Sequence, residues 1–380
     1  MKLFSLFFSL LLLAIAMTSC DPAGPISLDG CIELTGRQES PLTLTNHIDD
    51  PNRADYCVAG NYDILADVVV EPGVTILMKN GAKITVKTGG SFQSIGTETE
   101  KITIRGELLL TAGQWKYIRF NSDNTDNRLE HTNINGGGSD DTYDAMVFIG
   151  YNAYAKIDNC NVSFSQSHGI KCEDGRSRLG GLANTDVSFC EIFPVHIDAK
   201  HLRFIESTNS GTGNGNDKIN VKASQLSDPT TWKKSPLLPY RLDGSLSIID
   251  EVTVEAGTSI FMASGAKIRI NGGSLNCVGT ESEKIRFLAD NWTSGSWGYI
   301  SFISSNSSNN RFEHCVISDG GGNMTYQGMI TLIQNARCQI GNSEISGSAG
   351  YGVQNQSNRS TLVDDGNNTF SENALGNFGD

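Results

Sequence analysis

The sequence predicts an all-β fold, a right-handed parallel β-helix in which one chain winds as a single-stranded solenoid. Two observations predict it: a long internal repeat, and within each copy a succession of short strand-like runs separated by glycine or polar turns. The 380 residues include 41 glycines, and helical stretches are rare. One coil of such a fold cannot bury its apolar side alone, so stacked coils are needed to make a continuous core.

The internal repeat divides the chain into two homologous halves. The motif Val70-Glu71-Pro72-Gly73 returns 184 residues later as Val254-Glu255-Ala256-Gly257. Four further segments match in the same order: residues 81–84 with 265–268, 115–120 with 297–302, 128–131 with 311–314, and 142–146 with 325–329. We therefore predict a first repeat unit over residues 61–225 and a second over 226–380, joined as one solenoid. A signal peptide over 1–19 and an anchor, linker and short N-terminal cap over 20–60 precede them.

Short strands are predicted within each copy. In the first copy they cover residues 68–70, 75–78, 83–86, 91–95 and 101–104. Apolar residues alternate in several of these runs, and this period of two is typical of strands with one buried face. A β-propeller or sandwich is the alternative, but those folds have longer strands joined by hairpins, and hairpin signals are few here.

These repeated motifs carry a resemblance to a known family. The runs Val70-Glu71-Pro72-Gly73, Ile95-Gly96-Thr97-Glu98 and Trp115-x-x-Ile118-x-Phe120 resemble right-handed parallel β-helix proteins of the pectin-lyase-like superfamily, in particular exported bacterial lipoproteins of that type. The resemblance covers about residues 60–380. It implies the fold strongly and an activity weakly, because the motifs are core and turn residues.

The N-terminal segment predicts export. Lys2 is followed by an apolar run over residues 3–17 and by Thr18-Ser19-Cys20, which is typical of a secretory signal. The position of Cys20 resembles the lipobox of bacterial lipoproteins, which implies acylation of Cys20 and a membrane anchor. An ordinary signal peptide that contains a cysteine is the alternative. The expected location is the cell envelope, at the outer membrane or cell surface.

Charge and cysteine usage narrow the classes of partner and cross-link. The formal net charge is −13, and no cluster of Lys and Arg occurs, which argues against a nucleic-acid partner. Cys31 and Cys57 lie outside the repeat and are the candidate disulfide, since export permits one. The remaining cysteines lie in strand-like runs, where we expect small buried apolar side chains.

An acidic loop is peculiar to the first copy. Asp140, Asp141 and Asp144 fall within six residues, and such oxygen-rich clusters suit calcium. The second copy lacks all three acids, so a solvated loop is the other interpretation, and we expect no other cofactor.

No catalytic residue is assigned from the sequence. Pectin hydrolases of this superfamily carry Asn-Thr-Asp before Gly-His-Gly. Here the similar fragment Ser167-His168-Gly169 comes before Asn184-Thr185-Asp186, so the order is reversed. His168 aligns with Tyr351, which predicts a turn position. The repeated Glu130-His131 would place its two side chains on opposite faces of a strand.

Two unmatched aromatic residues, Trp232 and Trp292, are the candidates for stacking on sugars, with a packed corner as the alternative for each. The sequence therefore favours a lipid-anchored envelope β-helix protein, non-catalytic, that binds glycan or another surface component along the solenoid. The alternative is a polysaccharide lyase or glycoside hydrolase of pectin-lyase-like fold.

Overall fold

The computed structural model describes residues 30–50, 52–173, 176–322 and 325–380. They form a right-handed parallel β-solenoid of about 14 turns. This confirms the predicted fold class and the solenoid repeat, while the signal segment and Cys20 lie outside the described residues. Within the described ranges, no helix is both long and apolar enough to cross a membrane.

The strands are short, and one 3₁₀ helix (Ala199–Phe204) interrupts them. The strands before and just after it are β1 Ile32–Gln38, β2 Leu42–Leu44, β3 Tyr56–Ile64, β4 Asp67–Val70, β5 Thr75–Met78, β6 Lys83–Val86, β7 Ser91–Ile95, β8 Ile102–Arg105, β9 Ile118–Phe120, β10 Arg128–Glu130, β11 Thr132–Asn135, β12 Ala145–Ile149, β13 Tyr154–Asp158, β14 Asn161–Ser163, β15 His168–Cys172, β16 Arg178–Ala183, β17 Asp186–Ser188, β18 Val195–Asp198 and β19 Ile219–Lys222.

The second half continues in the same manner. Its strands are β20 Gln225–Leu226, β21 Thr230–Trp232, β22 Tyr240–Asp243, β23 Ser245–Ile248, β24 Glu251–Val254, β25 Ser259–Met262, β26 Lys267–Asn271, β27 Ser274–Val278, β28 Ile285–Ala289, β29 Ile300–Ile303, β30 Arg311–Glu313, β31 Cys315–Ser318, β32 Gly328–Ile333, β33 Arg337–Gly341, β34 Glu344–Ser346, β35 Tyr351–Asn355, β36 Thr361–Gly366, β37 Thr369–Ser371 and β38 Gly376–Gly379.

Away from the junction and the two ends, each turn contributes one strand to each of three faces, and each strand pairs in parallel with the strand one turn further on. In the first half, face one is the stack β2-β4-β7-β10-β13-β16. Face two contains β5-β8-β11-β14-β17, and face three contains β6-β9-β12-β15-β18. Inward side chains from the three faces fill the axis with a continuous apolar core.

The repeated tryptophans belong to that core. Trp115 and Trp297 are fully buried, and their indole N–H groups donate to the carbonyl oxygens of Asn135 and Ser318, both at 2.8 Å. Gly137 packs beneath the first ring, because a Cβ at that position would lie 2.7 Å from it. The run Gly136-Gly137-Gly138 therefore serves close packing as well as a turn.

The expected arrangement of the repeated Glu-His pair was wrong. His131 and His314 have φ values of 46° and 49°, so each residue forms the corner between two strands. Strand alternation does not apply at such a bend. In the second copy the His314 Nε2 atom lies 3.8 Å from the Glu313 carboxylate.

The two halves meet at a junction where the pairing moves by one face. On face three, β18 pairs with β19, β19 with β22, and β22 with β25. By the repeat, however, β25 is the equivalent of β5, which lies on face two. A new stack begins at β20 and continues through β23 and β26. On face one the 3₁₀ helix replaces a strand and leaves a single bridge between Leu182 and Ile205.

The N-terminal turn is cross-linked. Strand β1 pairs in parallel with β3, and β2 pairs with β4, so solenoid pairing begins within the segment assigned to the cap. Cys31 and Cys57 form a disulfide at the start of the first pair. The other six described cysteines are buried thiols. Burial raises the pKa values of Cys160 and Cys190 to about 12, so these thiols stay protonated at neutral pH.

We expect the double change Cys31→Ser and Cys57→Ser to destabilise the N-terminal turn by about 3 kcal/mol, because the cross-link restricts the unfolded chain. Each turn of a solenoid contacts only its neighbours, so the effect should be local. Hydrogen exchange followed by mass spectrometry should show faster exchange in β1–β3 and unchanged exchange in β30–β35. A reductant should have the same effect on the wild type and none on the variant. Uniform loss of protection along the chain would contradict this prediction.

Candidate functional site

One outward row of side chains crosses the junction and differs from the rest of the surface. We call it the polar ladder: Phe148, Lys171, His196, Asn220, Arg241 and Phe261. These residues lie on β12, β15, β18, β19, β22 and β25, and each stands directly opposite the next in the register. Five strand spacings separate its ends, a length of about 24 Å.

Ion pairs fix the first part of the polar ladder. The Lys171 ammonium lies 3.5 Å from the Glu173 carboxylate, and His196 Nε2 lies 3.2 Å from the same group. Lys222 approaches it to 3.9 Å. The interaction with the His196 side chain, followed by the positive charge of Lys171, lowers the pKa of Glu173 to about 2. Glu173 is therefore a fixed negative charge between three basic side chains.

Hydrogen bonds continue the network across the junction. The Asn220 amide nitrogen lies 3.1 Å from His196 Nδ1, and Arg241 donates to the Asn220 oxygen at 2.8 Å. Arg241 also donates to Asp290 at 2.8 Å, and Lys218 pairs with Asp290 at 3.1 Å. Burial raises the pKa of Asp290, but the hydrogen bonds from Arg241 and Lys218 outweigh it and leave the pKa lowered. This carboxylate is also ionised at neutral pH.

Aromatic rings stand at both ends of the polar ladder. At one end the Phe148 and Tyr143 rings are 5.1 Å apart. At the other end Phe261 lies 6.0 Å from Trp292 in an edge-on arrangement, and the Lys218 ammonium lies 4.6 Å above the Phe261 ring. Trp292 is 68 % exposed, so its ring is available to a ligand.

His168 supports the polar ladder from beside it. It is the first residue of β15 and is buried, whereas its alignment with Tyr351 predicted a turn position. Its ring stacks on Phe193 at 5.8 Å and lies 4.9 Å from the His196 ring. Desolvation, followed by the positive charges of His196 and Lys171, lowers its pKa to about 3. His168 is therefore neutral at physiological pH.

The acidic loop does not bring its three carboxylates together. Asp140 accepts from the backbone N–H groups of Thr142 and Tyr143 and pairs with Lys116 at 3.6 Å. Asp141 is exposed. In the described part of the chain, no group of three or more His, Cys, Asp or Glu side chains could hold a metal ion.

The third acid of the loop belongs to the site instead. Asp144 turns toward the polar ladder, where its carboxylate lies 3.5 Å from His168 Nε2 and 3.9 Å from the Lys171 ammonium. The loop that is peculiar to the first copy therefore closes one end of the network.

The two candidate tryptophans lie in different environments, one buried and one exposed. Trp232 is fully buried and its ring lies 5.8 Å from that of Tyr240, so it cannot stack on a glycan at the surface. The expectation of an exposed ring fails because Trp232 occupies an inward position of β21 and fills the core at the junction. Trp292 follows β28 in an exposed turn and joins the end of the polar ladder.

The sequence alone did not identify the six residues of the polar ladder. Its six residues are 23, 25, 24, 21 and 20 residues apart, an irregular spacing set by the lengths of the corners. Comparison of the two halves is the sequence signal that could have identified the row. The equivalents of Arg119, Phe148 and Lys171 are Ser301, Thr331 and Gln354, which also stand opposite one another. The charged and aromatic row is therefore peculiar to the first half and the junction.

The arrangement is suited to binding more than to acid–base chemistry. Its donors and acceptors are held by one another on adjacent strands, so little ordering is needed when a ligand binds. A carboxyl group that acts as a general acid at neutral pH needs a raised pKa, whereas the pKa values of Glu173 and Asp290 are lowered.

Comparisons with known proteins gave no match to a family model, a curated protein or a solved structure.

We expect stability to fall as the pH is lowered from about 6.5 toward 3. Because the folded pKa of His168 lies below its ordinary value of 6.5, the unfolded chain binds a proton that the folded chain does not. The slope should approach about 1.4 kcal/mol per pH unit. Glu173 contributes to the pH dependence of stability only as the pH falls below its ordinary pKa of 4.5. Urea unfolding between pH 6.5 and 5 therefore reports the contribution of His168.

His168→Gln should flatten this pH dependence, because the titrating ring is gone. His131→Gln, outside the polar ladder, is the matched control and should keep the wild-type slope. An equal slope in the wild type and His168→Gln would refute the assignment.

Proposed function

We propose that the protein is a lipid-anchored cell-envelope β-helix protein that binds an extended, neutral glycan along the polar ladder, without turnover. The observation that carries the proposal is the row itself: hydrogen-bonding side chains over five strand spacings, closed at both ends by aromatic rings. Solenoids commonly use such extended surfaces for binding.

The geometry supports a linear glycan because two periods are similar. Strands one turn apart are separated by about 4.8 Å. A pyranose unit in an extended glycan advances by a similar distance, so consecutive sugars can meet consecutive rungs. Arg241 supplies a guanidinium for sugar hydroxyl groups, and Trp292 supplies a flat apolar face.

The charge of the site favours a neutral ligand. Glu173 lies among Lys171, Lys222 and His196, and Asp290 lies between Lys218 and Arg241. Positive and negative groups therefore offset one another within the row. A strongly charged polymer would have to break these pairs, at a cost that a neutral chain avoids.

Trp292→Ala should weaken binding of a neutral hexasaccharide at least about tenfold, since truncation of an anchoring tryptophan removes about 1.4 kcal/mol or more. Titration calorimetry with cellohexaose, xylohexaose and mannohexaose should show binding of one or more of them, and tighter than the matching disaccharide. Phe189→Ala removes an exposed aromatic ring outside the polar ladder and is the control. Equal affinity of wild type and Trp292→Ala, or no binding of any hexasaccharide, would refute this assignment.

The alternative, a polysaccharide lyase or glycoside hydrolase, is tested with the same oligosaccharides. New reducing ends, or absorbance from an unsaturated product, would favour the enzyme. Binding with neither product would favour the binding protein.

The anchor is tested at Cys20. When the chain is expressed in a bacterium fed an alkyne fatty acid, the wild type should be labelled and Cys20→Ser should not. Cys31→Ser leaves the proposed acylation site intact and should keep the label. Label on Cys20→Ser, or an unlabelled wild type, would contradict the lipoprotein assignment. Protease treatment of intact cells then reports whether the solenoid is exposed at the surface.

A further inference from the structure

A pocket of about 610 Å³ lies on face one where the first half ends. Strand β16, the 3₁₀ helix Ala199–Phe204 and residues 227–228 form its walls. The pocket exists because the helix replaces a strand there and interrupts the flat stack. Its volume falls in the range of small-molecule sites, about 300–1,000 Å³, and exceeds what an inorganic ion requires.

The walls are basic although the chain is acidic. Arg176, Arg178, Lys200 and Arg203 line the pocket, and Asp228 is the one carboxylate among the described residues that line it. The whole chain has a formal charge of −13. A concave surface of one sign raises the local concentration of ligands of the opposite sign.

Arg178 is held by neutral groups. The Arg178 guanidinium lies 5.6 Å from the Tyr154 ring and donates to the Asp123 carbonyl oxygen at 3.0 Å. Over the described ranges, neither Arg178 nor Lys200 takes part in an ion pair, while Arg203 pairs with Asp228 at 3.3 Å. Positive charge in the pocket is therefore only partly offset by internal carboxylates.

Gly180 keeps the pocket open beside Tyr154. A Cβ at Gly180 would collide with the Tyr154 hydroxyl group, so the absence of a side chain there lets the ring lie across the strand. Gly181 has a φ of 156°, and the register between β13 and β16 shifts beside it. The pocket therefore has the Tyr154 ring on one side, next to Arg178 of β16 and Arg203 of the 3₁₀ helix.

The second half shows that Tyr154 and Arg178 are not part of the repeated scaffold, whereas Arg176 recurs as Arg359. In the equivalent strands, Tyr154 is replaced by Arg337 and Arg178 by Thr361, which face each other in the same register. Val363 and Asp364 stand where the first half has its two glycines. Tyr154, Arg178 and the glycine pair are therefore not needed to build a turn.

We propose that this pocket binds a sugar that carries an anionic group, a carboxylate, sulfate or phosphate, and that it is separate from the glycan row. The guanidinium groups present planar donors that match an oxyanion, and Tyr154 faces the sugar ring. The pocket volume accommodates a monosaccharide or disaccharide, and the positive walls select the acidic one over the neutral one.

Titration calorimetry of the full mature chain at low ionic strength tests the proposal with five probes: glucuronate, glucose 6-sulfate, glucose 6-phosphate, glucose and inorganic phosphate. At least one acidic sugar should bind with a Kd below about 1 mM, and its affinity should fall as salt is added. Glucose should not bind. The combined change Arg178→Gln and Lys200→Gln should weaken binding at least about tenfold, because charge-assisted hydrogen bonds are lost.

Arg128→Gln, on the same face but outside the pocket, is the matched control and should bind like the wild type. Circular dichroism and the Tm should be unchanged in all variants, because the substituted side chains are not core residues. Equal binding of glucose, equal binding by the pocket variant, or no binding of any acidic sugar would overturn the proposal. If inorganic phosphate binds as tightly as the phosphorylated sugar, the site is an oxyanion site and the sugar assignment is wrong.

Discussion

The parallel register between strands one turn apart is the constraint on which the rest of the structure depends. Hydrogen bonds align each strand with the next, so side chains at equal positions form rows along the solenoid axis. An inward row, such as Ile118, Val147, Ile170 and Val195, becomes a strip of core. The adjacent outward row becomes Phe148, Lys171 and His196. A single geometric rule therefore produces both the apolar core and the candidate site.

The same register explains how the site tolerates partly buried charge. Lys171 is only 8 % exposed and Asn220 only 3 %, and such groups are costly unless they have partners. Glu173 lies two positions beyond Lys171 on the same side of the sheet, where it meets basic groups from three turns. Because these charged groups are paired with one another, loss of one member would leave another charge unpaired.

Local patterns were sufficient to predict the scaffold but not the site. Alternation gave the bounds of Thr75–Met78, Lys83–Val86 and Ser91–Ile95 as the structure has them, because each strand's inward side is decided within a few residues. His131 was misjudged because a corner interrupts the alternation, and Trp232 because its direction depends on the strand register at the junction. The polar ladder spans six turns of unequal length, so its members could be aligned only after the corners were known. The comparison of copies did mark the acidic loop and Trp292 as unusual, and these lie at its two ends.

The position of both sites at the junction has a physical cause. In a duplicated solenoid, inward side chains within either half lie in rows that recur in the other half, as Trp115 and Trp297 do, whereas outward side chains such as Lys171 and its equivalent Gln354 can differ. At the junction the pairing passes from one face to another, and a helix takes the place of a strand. Residues there no longer have to serve a repeated row, so charged, aromatic and glycine residues can be placed for a ligand at little cost to the core. The break in the repeat is therefore where the fold most readily permits side chains that do not serve the repeated core.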